Sequence, residues 1–360
     1  MKKLSVLILT LTLLVFTGCQ SSAAKNSNSP TIKANDYAGQ MYLYGEEHGA
    51  QKIIEEEFSL WKEYYDAGMR HLFVELPCYT AEFLNIWMKE TDDNILISVY
   101  EDWKGTASYN QFTFDFFKNI KRECPETKFH GTDIGHQYDT TGERYIKYLE
   151  NNNLLNTEQH ERALIVIEQG KKCYALKNNA KRFYIEREYL MVENFIYALG
   201  TIENEDIMGI YGSAHIGLSN LDHTGTIPCM ANQLNALYPG MIYSEDLRTL
   251  LREIEPLSTE TITIEGKDYK AYYYGQQDMS WLKGYVYREF RHLENAYEDL
   301  KDNIKTGDVL PFDNYPMNVK TGEVYVIDYM KTDNTKQRLI YIADGKIWKN
   351  REITESIIVK

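Results

Sequence analysis

From Gln40 onward, short continuous apolar runs alternate with longer stretches whose apolar residues recur at helical spacing. Met41 to Tyr44 is a compact apolar run ending at Gly45. Ala50 to Met69 then places Ile53, Ile54, Phe58, Trp61, Tyr64 and Tyr65 at helical intervals, which predicts a helix stopped near Gly68. Its Glu55-Glu56-Glu57 run reads as a solvated face. His71 to Leu76 predicts a buried strand closed by Pro77, and Lys128 to Thr132, Ile207 to Tyr211 and Met241 to Ser244 predict three more. Helices are expected over Thr80 to Lys89, Tyr109 to Cys124, Thr157 to Leu176 and Lys181 to Asn204. Strands separated by helices imply an α/β domain with a parallel sheet covered on both faces, over residues 37–250.

After about Leu250 the character changes. Thr261 to Tyr274 reads as a hairpin, and Ser280 to Asn303 as an amphipathic helix with Trp281, Tyr285, Phe290, Leu293, Tyr297 and Leu300 on one stripe. Glu323 to Met330, Arg338 to Ile342 and Lys346 to Trp348 read as a small antiparallel meander with a turn at Asp344-Gly345. Residues 251–360 are therefore expected to form a C-terminal β appendage of hairpin, helix and meander.

The N-terminal pattern is of another kind. Lys2 and Lys3 precede an apolar run from Leu4 to Phe16, too short for the ~20 residues that span a bilayer but suited to a secretory signal. It ends Phe16-Thr17-Gly18-Cys19, similar to a bacterial lipoprotein box, so residues 1–18 are expected to be removed and Cys19 lipidated. Gln20 to Asp36 is small and polar, a flexible tether in residues 19–36. The expected location is extracytoplasmic, with acyl chains on Cys19 holding the chain to the membrane.

Composition narrows the partners. In 360 residues, 39 Lys and Arg face 53 Asp and Glu, and the net charge of −14 argues against nucleic acid as a partner. Hydrophobic residues at 43% are those of a folded chain with a sizeable core. Cys78, Cys124, Cys173 and Cys229 are too scattered for a C-x-x-C motif; one disulfide is compatible with export, but its pairing is not deducible.

Ligands of open parallel sheets bind outside the carboxyl ends of the strands. Those ends here are Tyr44-Gly45-Glu46-Glu47-His48-Gly49, Glu75, Gly131-Thr132-Asp133 and Tyr211-Gly212-Ser213-Ala214-His215. The repeated Tyr-Gly-x-x-His brings two imidazoles to one edge. A helix beginning behind His48 would keep that imidazole neutral through its dipole. His48, His215 and Glu75 then make a two-His-one-carboxylate set suited to a divalent metal, with Glu46 or Asp133 positioned to move a proton. His130 and His136 flank Asp133 and could reach the cleft, whereas His71, His160, His223 and His292 have packing or surface positions. G-x-S-x-G, P-loop, G-x-G-x-x-G and H-E-x-x-H patterns are missing.

Taken together, Gly45-Glu46-Glu47-His48-Gly49, Glu75, Asp133 and Gly212-Ser213-Ala214-His215 resemble the ChaN/Tiki/erythromycin-esterase superfamily. Arg187 to Asn194 is similar to its R-x-x-x-M-x-x-N helix, and the likeness spans about residues 40–245, with the Ser280 segment a looser match to the esterase branch. The resemblance implies His48, His215 and Glu75 as metal ligands in a Tiki-like protease, or a metal-free water-activating His in an esterase. It also implies Arg187 facing the cleft, and a ChaN-like haem-binding lipoprotein as the alternative. The expectation is a membrane-anchored hydrolase of an ester or amide in a small molecule or peptide, with His48, Glu46, Asp133 and Arg187 catalytic. Haem or iron binding without turnover is the second reading.

Overall fold

The parallel strands form where β-branched and aromatic residues run without interruption: β1 (Met41–Glu46), β2 (His71–Pro77), β3 (Lys128–Asp133), β4 (Ile207–Gly212) and β5 (Ile242–Asp246). Between them lie α1 (Gln51–Asp66), α2 (Cys78–Trp87), α3 (Asn94–Asp102), α4 (Gln111–Glu123), α5 (Glu143–Asn151), α6 (Glu158–Ala175), α7 (Ala180–Leu199) and α8 (Met230–Leu237). The computed structural model describes residues 37–250, 255–348 and 351–359, all in one compact unit. The signal, the tether and Cys19 lie outside the described residues. No described helix is long and apolar enough to cross a membrane.

All pairings in this sheet are parallel, in the order β3-β2-β4-β1-β5. The carboxyl ends of all five strands therefore share one edge. Side chains alternate between faces along each strand. Leu72 and Val74 of β2 join Trp61, Trp87, Phe116 and Phe117 on one face, while Phe73 meets Met191 and Phe195 of α7 and Leu234 of α8 on the other. This two-sided burial is the α/β architecture expected from the alternation of strand and helix. The short helices α3, α5 and α8 add to the expected set, and α5 buries Tyr145 and Leu149 on one face.

The C-terminal part is a separate antiparallel sheet. A one-turn α9 (Leu247–Leu250) precedes β6 (Ser258–Ile264), β7 (Lys267–Asp278) and β8 (Tyr285–Leu293), followed by a one-turn α10 (Tyr297–Leu300). Then come β9 (Lys305–Pro311), β10 (Val324–Lys331), β11 (Lys336–Ile342), β12 (Ile347–Trp348) and β13 (Arg351–Ile357). The order is β6-β7-β8-β10-β11-β13, with β9 and β12 both on β13. The expected hairpin is present, turned by Glu265 and Gly266 at positive φ of 51° and 78°. The expected Ser280–Asn303 helix is not: those residues form β8 and α10. Tyr285, Val286, Tyr287 and Phe290 favour strand, and β7 and β10 pair β8 on both sides, which outweighs the helical spacing. Trp281 of that supposed stripe is 47% exposed.

The appendage clamps the first motif loop. Asp278 N–H donates to the Gly49 carbonyl at 2.9 Å, and Gln277 Nε2 to Glu47 Oε1 at 3.2 Å. Cys78, Cys124, Cys173 and Cys229 are all free thiols.

One contact tests the packing sharply. Gly170 in α6 lies against the loop after β3, and a Cβ there would stand 2.0 Å from the Gly135 carbonyl oxygen. Ala exceeds Gly in helix propensity by ~1 kcal/mol, but a clash with backbone cannot be relieved by a rotamer change. Gly170→Ala is expected to lower stability by about 1–3 kcal/mol in urea unfolding, opposite in sign to the propensity gain.

Candidate active site

β4 lies between β2 and β1, so the side chains ending β2 and β1 meet over the end of β4. Gly212 marks the place. A Cβ added to it would stand 3.3 Å from Glu75 Oε2, 3.4 Å from His48 Nε2 and 3.7 Å from His215 Cδ2. Three residues separated by up to 167 positions thus surround one point at which the backbone carries no side chain.

Glu75 is held on both oxygens. Arg187 Nη2 donates to Oε1, and the Gly212 N–H donates to Oε2. His215 Nε2 lies 3.6 Å from Oε1. Burial opposes ionisation, but His215, Arg187 and His48 outweigh it and hold the Glu75 carboxyl down at about 2. Arg187 is the hub. Its Nε and Nη2 donate to Asp133 at 3.0 and 2.6 Å, and its Nη1 lies 3.3 Å from His215 Nε2. Asp133, 1% exposed, also accepts from Ile134 N–H at 2.7 Å and engages His136 Nε2 at 2.9 Å. It bonds Arg187 and His136 and is not among the groups nearest the point over Gly212, so it positions those two side chains. Burial disfavours its charge, yet Arg187 and His136 hold it far below the ordinary carboxylate range.

His215 is buried and hydrogen-bonded through Nδ1 to Glu188, whose other oxygen accepts from Met230 N–H at 2.6 Å. Burial acts against its imidazolium form, but Glu75 and Glu188 raise its pKa on balance. His48 differs: its side chain is 41% exposed, with Nδ1 2.8 Å from Glu46 Oε1. The expectation of a neutral His48 is overturned. Glu46 above all, 2.8 Å away, then Glu75 and Glu47, favour the imidazolium form and raise its pKa from 6.5 to about 10.

Two acids escaped the sequence reading. Glu57, read as solvated, is 3% exposed and bonded to Glu46. Burial, then the neighbouring Glu46, raises its pKa well above the usual range and favours its neutral form behind the His48–Glu46 pair. Counting from Ile53, Ile54 and Trp61 would have found it, since Glu57 falls on their helix face. Glu188 sits within the Arg187 motif and escaped notice because its partner His215 is brought in by folding alone. His136 reaches the cleft; His130 does not, pairing instead with His71 at 2.7 Å.

The described residues form no group of His, Cys, Asp or Glu arranged to hold a metal ion. His48, His215 and Glu75 converge, and the carboxylates on both histidine Nδ1 atoms leave the Nε2 atoms toward the cleft, but the Arg187 guanidinium is the cation that meets Glu75 Oε1. With a guanidinium against Glu75, the described residues present no ready donor set for a divalent ion.

A cavity of about 70 Å³ adjoins these groups, bounded by Glu46, His48, Glu57 and Glu75 and by the rings of Trp103 and Phe116.

No protein-family model and no curated protein matches the chain. Among solved structures, it is similar to a protein from Bacillus cereus at 15% identity, covering 60% of this chain and 69% of that one, with a TM-score of 0.42. A succinoglycan biosynthesis protein matches at 13% identity over 65% and 70%, with a TM-score of 0.42. An erythromycin esterase mutant in its open conformation matches at 9% identity over 65% and 74%, with a TM-score of 0.43. Likeness at this level concerns the path of the chain and brings no residue role with it.

Arg187→Met leaves Glu75 and Asp133 buried without their cation, and is expected to cost about 3–5 kcal/mol at pH 7. Because Glu75 is depressed from 4.5 to about 2, this stabilisation is present above pH 4.5 and fades as pH falls toward 2. The gap between variant and wild type in urea unfolding should therefore narrow on acidification. Separately, the His48 imidazole is expected to titrate near 10 by carbon NMR, and Glu46→Gln to bring its midpoint down toward 6.5.

Proposed function

We propose that the chain is a hydrolase of ester or amide bonds whose chemistry takes place over Gly212, between His48 and Glu75. The convergence of His48 Nε2 and Glu75 Oε2 on a point vacated by glycine carries this reading. An anionic carboxylate facing an imidazole that favours its protonated form is an acid–base pair with opposed tasks. In the proposed step a water oxygen bonds to the substrate carbonyl carbon and its proton passes to Glu75. His48 Nε2 gives a proton to the departing alkoxide or amide nitrogen as the carbonyl–heteroatom bond breaks. Loss of the His48 charge raises the proton affinity of Glu75, and return of the proton from Glu75 to His48 resets the pair. Glu46 and Glu57 hold His48, Arg187 and Asp133 hold Glu75, and Glu188 holds His215. No step passes through a metal. Attachment to a membrane through Cys19 belongs to the same proposal and rests on the lipoprotein-like box alone.

The decisive variant is Gly212→Ala. Gly212 has φ −51° and ψ 135°, which alanine adopts without strain, so the added methyl group fills the reaction space and leaves the fold intact. Gly212→Ala and His48→Ala are each expected to lower kcat/KM at least 100-fold on a panel of 4-nitrophenyl esters and peptide 4-nitroanilides, with thermal midpoints nearly unchanged. Dialysis against EDTA should leave turnover intact. Turnover unaffected by both substitutions overturns the proposal. A panel without turnover, combined with a stoichiometric Soret shift on adding haemin, replaces it with haem binding; stoichiometric metal lost with activity on dialysis restores the metal set.

A further inference from the structure

A second cavity, of about 650 Å³, lies along the edge strand β3, walled by α2, α6 and α7 and apart from the groups over Gly212. That volume is typical of a small-molecule site. Arg162 of α6 lines it and is only 7% exposed. Its Nη2 donates to Asn194, and its guanidinium lies 4.2 Å from the centre of the Tyr197 ring. Its Nε is buried without a hydrogen-bond partner, and among the described residues Arg162 makes no ion pair.

A buried guanidinium cannot escape its desolvation cost by losing a proton, so an uncompensated one is a standing demand for an anion. The acids of the wall do not meet that demand. Glu126 is engaged by Arg70 at 2.9 Å, and Glu158 accepts from the Tyr197 hydroxyl at 2.9 Å. Glu82 is pushed toward its neutral form by burial. Lys89 and Lys128 stand exposed at the rim. The remaining lining mixes apolar residues such as Met88, Pro125 and Ala198 with the polar Asn85, His130 and Gln159.

We propose that this cavity is a second ligand site, which takes an organic monocarboxylate with its anionic end on Arg162 and its apolar body against Met88 and Tyr197. The site is wired to the strand edge: Asn194, which accepts from Arg162, donates through Nδ2 to the Asp133 carbonyl at 2.9 Å. One side chain thus separates the ligand's anchor from the residue that holds Arg187.

Calorimetric titration of the full chain with octanoate, 1-octanol and acetate tests this. Octanoate is expected to bind one to one, with 1-octanol and acetate at least tenfold weaker. Arg162→Met should weaken octanoate at least tenfold. Lys128→Glu, at an exposed position that does not endanger folding, should weaken it severalfold by reversing a rim charge. His48→Ala should leave octanoate binding unchanged, which separates this cavity from the proposed reaction site. Equal affinity for octanoate in wild type, Arg162→Met and Lys128→Glu overturns the proposal. So does 1-octanol binding as tightly as octanoate, absence of octanoate binding, or loss of that binding in His48→Ala.

Discussion

Arg187 is the constraint on which the strand edge depends. Its guanidinium spans Glu75 at the end of β2 and Asp133 at the end of β3, and reaches toward His215 after β4. Two carboxylates buried this deeply would otherwise take up protons or repel each other. A planar, permanently charged fork satisfies both at fixed angles, which a lysine could not do. The ends of three strands are thereby tied to one residue of α7. That tie leaves Glu75 anionic and oriented rather than neutral and mobile.

The opposite side of the space over Gly212 is arranged more loosely. His48 is partly exposed and depends on Glu46 and, behind it, Glu57. The loop carrying it is fixed from outside by the appendage, through the bond between Gly49 and Asp278 and that between Glu47 and Gln277. Gly49, at φ 71°, lets the chain turn there, and a Cβ on it would stand 2.9 Å from Asp278 Cβ. The antiparallel sheet is therefore part of what positions the first histidine. A rigid, charge-saturated wall thus faces a solvent-reachable imidazole.

The two imidazoles and the carboxylate that the strand ends place at one edge do converge in the fold, with Arg187 as the cation against Glu75. Two imidazoles and a carboxylate at strand ends satisfy a ligand count. Whether they coordinate depends on what else enters the space, and Arg187 enters from a helix far along the chain. The long amphipathic segment after Ser280 failed for a related reason. Aromatic residues spaced three to five apart fit a helix stripe and a pleated strand alike, and only the neighbours β7 and β10 decide between them.

The sequence by itself determined the alternation of strands and helices, the parallel sheet, and which residues end β1, β2, β3 and β4, because those features follow from local periodicity and from glycine at chain turns. Arg187 was singled out only by the resemblance of its segment to an R-x-x-x-M-x-x-N helix. Tertiary structure alone decided the strand order that sets β4 between β1 and β2, and so brings Glu75 and His48 over Gly212. It decided as well that Glu57 is buried beside Glu46 and Glu188 beside His215, that His48 favours its charged form, and that Arg162 makes no ion pair among the described residues. These are matters of distance between residues remote in the chain, and distance of that kind is fixed only when the sheet closes.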